Sequence, residues 1–142
     1  MLYLDSSALV KRYVAEPGSA DVASAIERDA VIATSRLTIV EVRAALAAAR
    51  RAGRFRRAAE LAAVIAAFTR DWAGIIVVEV DASLCESAAS LADRHGLRGY
   101  DAVQLASAIV ASSSVPSGTV RFGTFDTVLR RAARAERLAL LF

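Results

Sequence analysis

Short apolar segments rich in β-branched residues alternate with longer helical segments along the chain, and no other sequence feature restricts the fold as strongly. Strands separated by helices pair in parallel through right-handed crossovers. The alternation therefore predicts an α/β fold, a three-layer α/β/α sandwich with a central parallel sheet of about five strands. No linker or repeat interrupts it, which indicates one domain over residues 1–142. The predicted strands are 1–4, 31–34, 75–80, 120–124 and 138–142.

Capping and helix-breaking residues define the predicted helices between these strands. Glu16-Pro17-Gly18 separates the first two helices, and Gly53 separates the two long central helices. A cluster of Ser, Pro and Gly over 112–118 indicates the clearest loop. The predicted helices are 8–14, 19–29, 35–52, 54–72, 82–94, 100–112 and 127–135, with Ser19 and Asp81 as N-caps of the second and fifth.

The composition excludes several classes of function. Cys85 is the only cysteine, so the chain has no disulfide framework, and His95 is the only histidine, which argues against zinc chemistry and most His-based triads. We recognise no signal peptide. The longest Ala-rich run contains Glu60 and Arg70 and is too short to span a bilayer. We therefore expect a cytoplasmic protein without a membrane segment.

Apolar and basic residues suggest two kinds of partner. A hydrophobic fraction of 56% indicates apolar surface reserved for another protein, most simply a second copy in a homodimer. Lys11 is the only lysine, so nearly all of the positive charge is guanidinium, which suits phosphate contacts. The alternative is a solvated basic face. The arginines predicted to bind RNA lie on or just after the third helix: Arg43, Arg50, Arg51 and Arg54.

Three aspartates follow predicted strands or begin predicted helices. Asp5 and Asp126 leave the carboxyl edge of the same predicted sheet, where open α/β sheets bind their ligands. Asp101 begins the sixth helix. Each of the three can instead be a helix N-cap, and Asp101 with Gln104 resembles a capping box.

A fourth acid, Glu41, lies within the third helix. Its predicted face is apolar, and a carboxylate in an apolar stripe needs a reason because burying an unpaired charge is costly. Two placements remain open, an inward functional one and a solvated edge. The residues predicted to share this face are Leu37, Ala44, Ala45 and Ala48.

Carboxylates gathered at one edge of a sheet would repel one another unless a cation lay among them. Oxygen ligands without His or Cys favour Mg²⁺ or Mn²⁺. Such a metal activates water and stabilises the oxyanions of an in-line displacement at phosphorus. This chemistry requires no protein nucleophile, and the arginines would hold the backbone of a nucleic acid.

Five motifs in order along the chain resemble the PIN domain family and, within it, the VapC-type toxins of bacterial toxin–antitoxin pairs. They are the segments 4–11, 16–19, 38–42, 97–106 and 124–126. The resemblance implies an acidic site made by Asp5, Glu41, Asp101 and Asp126, the fourth position being the one that varies most in the family. It implies metal binding by Asp5, Asp101 and Asp126, with Ser6 and Thr124 as supporting hydroxyls.

The same resemblance implies a metal-dependent endoribonuclease that acts as a toxin and is covered by a small antitoxin. We expect the antitoxin to lie in a groove near residues 14–26. A phosphatase with an aspartate nucleophile would require a second Asp where Ser7 stands. A non-catalytic module that binds RNA or protein is disfavoured because all four acids are present. A housekeeping RNA-processing nuclease remains the other alternative.

Overall fold

A computed structural model describes residues 1–29, 31–116 and 119–142. Its strands form one parallel sheet in the order β3-β2-β1-β4-β5. In this sheet Leu2 lies opposite Ile32 on one neighbouring strand and Arg121 on the other. The predicted α/β fold with a central parallel sheet is confirmed. The strands are β1 (Leu2–Leu4), β2 (Ile32–Ser35), β3 (Ile76–Val78), β4 (Arg121–Gly123) and β5 (Ala139–Leu140).

Helices cover both faces of the sheet. The first helix continues into a 3-10 turn at Val10–Arg12. Within the described residues, none of the helices is long and apolar enough to cross a membrane. The helices are α1 (Ser6–Leu9), α2 (Ser19–Arg28), α3 (Thr38–Arg51), α4 (Ala58–Trp72), α5 (Ala82–His95), α6 (Gly99–Ser113) and α7 (Thr127–Ala135).

The central strand β1 supplies side chains to two separate cores because successive strand residues point to opposite faces. Leu2 and Leu4 pack with residues of α1 to α4, including the fully buried Phe68. Tyr3 packs with residues of α5 to α7 and with Phe122, whose ring centroid is 5.6 Å away. Both faces of β1 are therefore buried, and the strand holds the residue that follows it in a fixed position.

Several predicted boundaries were wrong by a few residues. The third helix begins at Thr38, because Ser35 still pairs with Val78 in the sheet. The fourth begins at Ala58 rather than 54, after an irregular segment that contains Phe55. The strands β3 and β5 are shorter than predicted. In the predicted loop 112–118, residues 112–113 belong to α6, and residues 117–118 lie outside the described residues.

A glycine turn fixes the start of α2. Gly18, rather than the predicted Ser19, occupies the N-cap position, with a φ of 92° that favours glycine. A Cβ at Gly18 would lie 2.5 Å from the ring of Phe125. Residues with a side chain are thus excluded by both conformation and space. The close approach locks the turn before α2 against the segment that follows β4.

Candidate active site

The strand order reverses beside β1, because β2 and β3 lie on one side of it and β4 and β5 on the other. The crevice at such a reversal, beyond the carboxyl ends of the strands, is where open α/β sheets bind ligands. Asp5 follows β1 and Thr124 follows β4. The Thr124 hydroxyl donates a hydrogen bond of 2.6 Å to Asp5 Oδ2, which joins the two sides of the crevice.

Asp5 is a helix cap and a buried site carboxylate at once. Its side chain is 3% exposed and accepts a hydrogen bond from the Ala8 amide at 2.9 Å. The Ser7 hydroxyl donates to both carboxylate oxygens, at 2.7 and 3.0 Å, and accepts from the Phe125 amide. Burial raises the Asp5 pKa to about 6, although the hydrogen bonds from Thr124, Ser7 and Ala8 oppose the rise.

Ser7 was therefore missed at the sequence level, where Ser6 and Thr124 were predicted as the supporting hydroxyls. The two serines serve different acids, because Ser7 bonds Asp5 and the Ser6 hydroxyl stabilises the charge of Glu41. The spacing Asp-x-Ser at the end of a buried strand was the available signal. A hydroxyl two residues after an N-cap aspartate can reach back to its carboxylate.

Glu41 takes the inward of the two placements considered, held by a buried glutamine. Gln104 Nε2 donates to Glu41 Oε2 at 2.6 Å and to Thr38 Oγ1 at 2.9 Å. Its Oε1 accepts from the Tyr3 hydroxyl at 2.9 Å. Burial raises the pKa of Glu41, hydrogen bonds from Gln104 and Ser6 lower it, and the charge of Asp101 raises it.

Two details of the sequence interpretation of these residues were wrong. The buried face of α3 consists of Thr38, Val42 and Leu46, whereas Ala44 and Ala48 are exposed, so Glu41 lies at the flank of this face. The capping box of Asp101 and Gln104 does not form, because α6 already begins at Gly99 and Gln104 points into the core.

Asp101 and Asp126 complete a chain of interacting acids. Asp101 lies in the first turn of α6, where burial and the charge of Asp126 raise its pKa and the charge of Arg98 lowers it. Asp126 caps α7 by accepting from the Leu129 amide at 2.7 Å. Repulsion therefore links Asp5 to Glu41, Glu41 to Asp101, and Asp101 to Asp126.

The four site acids differ from the other buried or half-buried acids in their ion pairing. In the described part of the chain, nine acidic residues are buried or half-buried, and five of them lie within 4.0 Å of a basic group. The paired acids are Glu16, Asp29, Glu60, Asp71 and Glu136. The four without a basic partner are Asp5, Glu41, Asp101 and Asp126. Unpaired, partly buried charges are costly, so this arrangement favours a bound cation.

A model of the PIN domain family matches residues 2–135 of the chain. The chain belongs to the PIN domain family. Two relatives from Mycobacterium tuberculosis, Ribonuclease VapC45 and Ribonuclease VapC49, are each 40% identical to this PIN domain over 109 residues, which cover 77% of this chain and 75% of each relative. The match confirms the family that the five motifs predicted.

Solved structures share the fold at much lower sequence identity. FitAcB from Neisseria gonorrhoeae has a TM-score of 0.65 and 17% identity, covering 99% of this PIN domain and 96% of that chain. VapBC2 from Rickettsia felis, bound to a DNA fragment from its promoter, has a TM-score of 0.65 and 15% identity over 99% and 97% of the two chains. These likenesses establish the fold.

The donor chemistry of the site fits a hard divalent cation. In the described structure these carboxylates supply oxygen ligands alone and have no basic group within 4.0 Å, an environment that suits Mg²⁺ or Mn²⁺. Among the described residues, no group of three or more His, Cys, Asp or Glu side chains is arranged to hold a metal by itself. Mg²⁺ commonly takes one or two carboxylates and keeps several waters. Ligation by all of Asp5, Asp101 and Asp126 stays a prediction.

The predicted RNA-binding arginines are all exposed, but the PIN domain does not gather them at the carboxylates. Arg43 and Arg50 are about 200° and 180° around α3 from Glu41, on its opposite flank, since each residue turns a helix by about 100°. Arg51 ends α3, and Arg54 lies beyond it, donating to the Ala15 carbonyl at 3.2 Å. Their role in RNA binding stays a prediction.

Proposed function

We propose that this chain, as a single PIN domain over residues 1–142, is a divalent-metal-dependent endoribonuclease and the toxin of a toxin–antitoxin pair. The observation that carries the proposal is the set of four acids beside the reversal of strand order that have no ion-pair partner among residues 1–29, 31–116 and 119–142. A divalent metal held by such a site can hydrolyse a phosphodiester with an activated water, without a protein nucleophile. The names of the relatives support ribonuclease activity.

Each of the side chains at the site has a different role in the proposed reaction. Asp5, Asp101 and Asp126 would hold Mg²⁺ or Mn²⁺, which when bound supplies an activated water and neutralises charge on the phosphate oxygens. Glu41 has a raised pKa and a fixed orientation, so it suits the role of orienting the attacking water and accepting its proton. Thr124 and Ser7 keep the Asp5 carboxylate directed into the crevice.

We propose two protein partners. A groove of about 680 Å³ lies between the 3-10 turn, α2 and α4, where the sequence predicted the antitoxin, and Tyr13, Ala23 and Ala67 are among its lining residues. FitAcB, VapBC2 and a toxin–antitoxin complex from Klebsiella pneumoniae support a partner of this class. The second partner is another copy of the chain, supported by Val40, which is 62% exposed beside an apolar cavity.

Two linked experiments test the proposed function. Production of the chain in the bacterial cytoplasm, where we place its action, is expected to arrest growth, and co-production of the small neighbouring reading frame is expected to restore it. Purified protein is expected to cut RNA with Mg²⁺ or Mn²⁺ and not in EDTA. Undiminished cleavage in EDTA would contradict the metal site. Cleavage in vitro by a chain that is harmless in cells would favour a housekeeping nuclease instead of a toxin.

The arginines on and after α3 provide a separate prediction. Changing Arg43, Arg50, Arg51 and Arg54 together to Gln is expected to weaken RNA binding and to flatten its salt dependence. Each lost phosphate contact should reduce the slope of log K against log salt by about 0.7 for single-stranded RNA. Binding would be measured by fluorescence anisotropy across a salt series.

The matched control for this variant changes arginines at the opposite edge of the sheet. Arg28 ends α2 just before β2, and Arg134 lies near the end of α7 just before β5, so both are remote from the carboxylates. Arg28→Gln with Arg134→Gln should keep the wild-type slope. If the fourfold variant also keeps it, the arginines of α3 are a solvated face.

A further inference from the structure

We propose that Tyr100 is a base-stacking residue of the active site, whose ring holds the base of an unpaired nucleotide beside the phosphate that is cut. This inference rests on the proposed ribonuclease function and adds to it a contact with a base. The four carboxylates and the metal that they would hold act on the phosphate, which is the same in every nucleotide. They therefore do not bind the base. The exposed ring next to them provides a surface for it.

Tyr100 differs from every other aromatic residue of the chain in its exposure. Of the nine aromatic residues, eight are buried or half-buried, whereas Tyr100 is 67% exposed. Most of the others have ring partners, such as Phe125 with Phe142 at a centroid distance of 4.7 Å. Within the described residues Tyr100 has neither a ring partner nor a hydrogen bond. Packing of the protein therefore does not account for this ring.

The position of Tyr100 assigns the ring to the active site. It lies in the first turn of α6, directly before Asp101, and adjacent Cα atoms are about 3.8 Å apart. Asp101 is half-buried and faces the other acids, while the neighbouring ring turns outward into solvent. A nucleotide whose phosphate lies at Asp101 therefore has an exposed aromatic ring one residue away from that carboxylate.

The two residues before Tyr100 suit the rest of a nucleotide. Arg98 is exposed, precedes α6 as its N-cap residue, and is the basic group whose charge acts on Asp101. At Gly99, no atom outside its two chain neighbours and the backbone of α6 lies within 4 Å of the position that a Cβ would take, so no other side chain occupies the space beside Gly99. A phosphate on Arg98 and a base on Tyr100 would be joined by a ribose across this space.

Stacking on an aromatic face is a general way to hold single-stranded RNA, and every base has a face that can take part. The contact therefore selects for an unpaired base rather than for one sequence. Removal of a stacking ring in other proteins lowers affinity by roughly 5- to 150-fold. A ring that merely filled surface would contribute nothing to RNA affinity.

Cleavage kinetics on a short single-stranded RNA test the proposal. Tyr100→Ala is expected to reduce kcat/KM by roughly 10- to 100-fold, mainly through KM. Tyr100→Phe keeps the ring and should stay within about twofold of the wild type. The control is Val110→Ala on the same helix, 44% exposed and about 15 Å further along, which should have no effect.

A substrate series identifies the base. Each RNA of the series carries one abasic ribose at a different position near the cut bond. The wild-type protein should cleave only one of these RNAs more slowly, the one that lacks the base that stacks on Tyr100. Tyr100→Ala should cleave this abasic RNA no more slowly than it cleaves the intact RNA, because the ring and the base act as a pair. Additive losses at every position, or wild-type kinetics of Tyr100→Ala, would overturn the inference while leaving the nuclease intact.

Two further outcomes also overturn it. If Tyr100→Ala cleaves normally but is no longer neutralised by the antitoxin, the ring belongs to a protein interface. If the wild-type chain cuts no RNA with Mg²⁺ or Mn²⁺, the proposed function and the stacking role fail together.

Discussion

Asp101→Asn is expected to reduce RNA cleavage by about 100-fold or more without loss of the fold. Among the described residues, the Asp101 carboxylate accepts no hydrogen bond, so the amide removes charge without breaking a contact. The charge that disappears repels Asp126 and Glu41. The variant should therefore unfold at the same temperature as the wild type or at a higher one. Single-turnover cleavage and thermal unfolding of the same preparation would measure both effects.

The control for this variant is Asp93→Asn. Asp93 is an exposed acid in α5 without an ion pair in the described structure, so the same chemical change occurs away from the crevice. Its cleavage rate should equal that of the wild type. If Asp101→Asn retains full activity, or loses it only by unfolding, Asp101 is not part of the reacting site.

The free energy of unfolding in EDTA is expected to fall as pH rises from about 4 to 7, with Asp5 as the main cause. Burial raises its folded pKa to about 6, whereas an unfolded Asp titrates near 3.9. Between these values the folded chain binds more protons, so stability is fully present below the unfolded pKa and is lost as pH rises through the folded pKa. The difference of about two pKa units corresponds to about 3 kcal/mol.

Denaturant unfolding of the wild type and Asp5→Asn across this pH range would measure the effect. The free energy of unfolding of Asp5→Asn should depend much less on pH than that of the wild type. Its remaining pH dependence should have the same direction, because burial also raises the pKa of Glu41 and of Asp101. Asp81 is the control, since it also caps a helix through a backbone amide but is exposed, so Asp81→Asn should keep the wild-type slope. At pH 7, addition of Mn²⁺ should raise the free energy of unfolding of the wild-type protein again. Equal slopes for the wild type and Asp5→Asn would refute the account.

Periodicity and residue order predicted the sheet, its parallel pairing and most helices, because buried strands and capped helices leave strong local signals. They did not predict the role of Gln104. A polar residue three positions after Asp101 fits a capping box as well as a buried hydrogen-bond centre, and only tertiary contacts with Tyr3 and Thr38 distinguish the two. Asp5 and Asp126 were predicted to lie at one edge because each follows a strand, whereas the set of four acids was implied by the family resemblance.

The faces of α3 were predicted less well for a related reason. Alanine buries little area, so a stripe that contains Ala44 and Ala48 carries almost no information about which side meets the core. The exposure of Tyr100 could not be predicted from the sequence, because neither periodicity nor a motif marks an aromatic residue as exposed.

The hydrogen bond from Thr124 to Asp5 joins residues that are 119 positions apart in the sequence. During synthesis on the ribosome, the first carboxylate emerges long before the strand that completes its surroundings. Asp126 follows later still, so the four acids cannot come together until β4 and the segment after it have been translated. A nascent or prematurely terminated chain therefore lacks the assembled site. The strand order thus makes the site a late product of folding, which depends on β4 and on the segment that follows it.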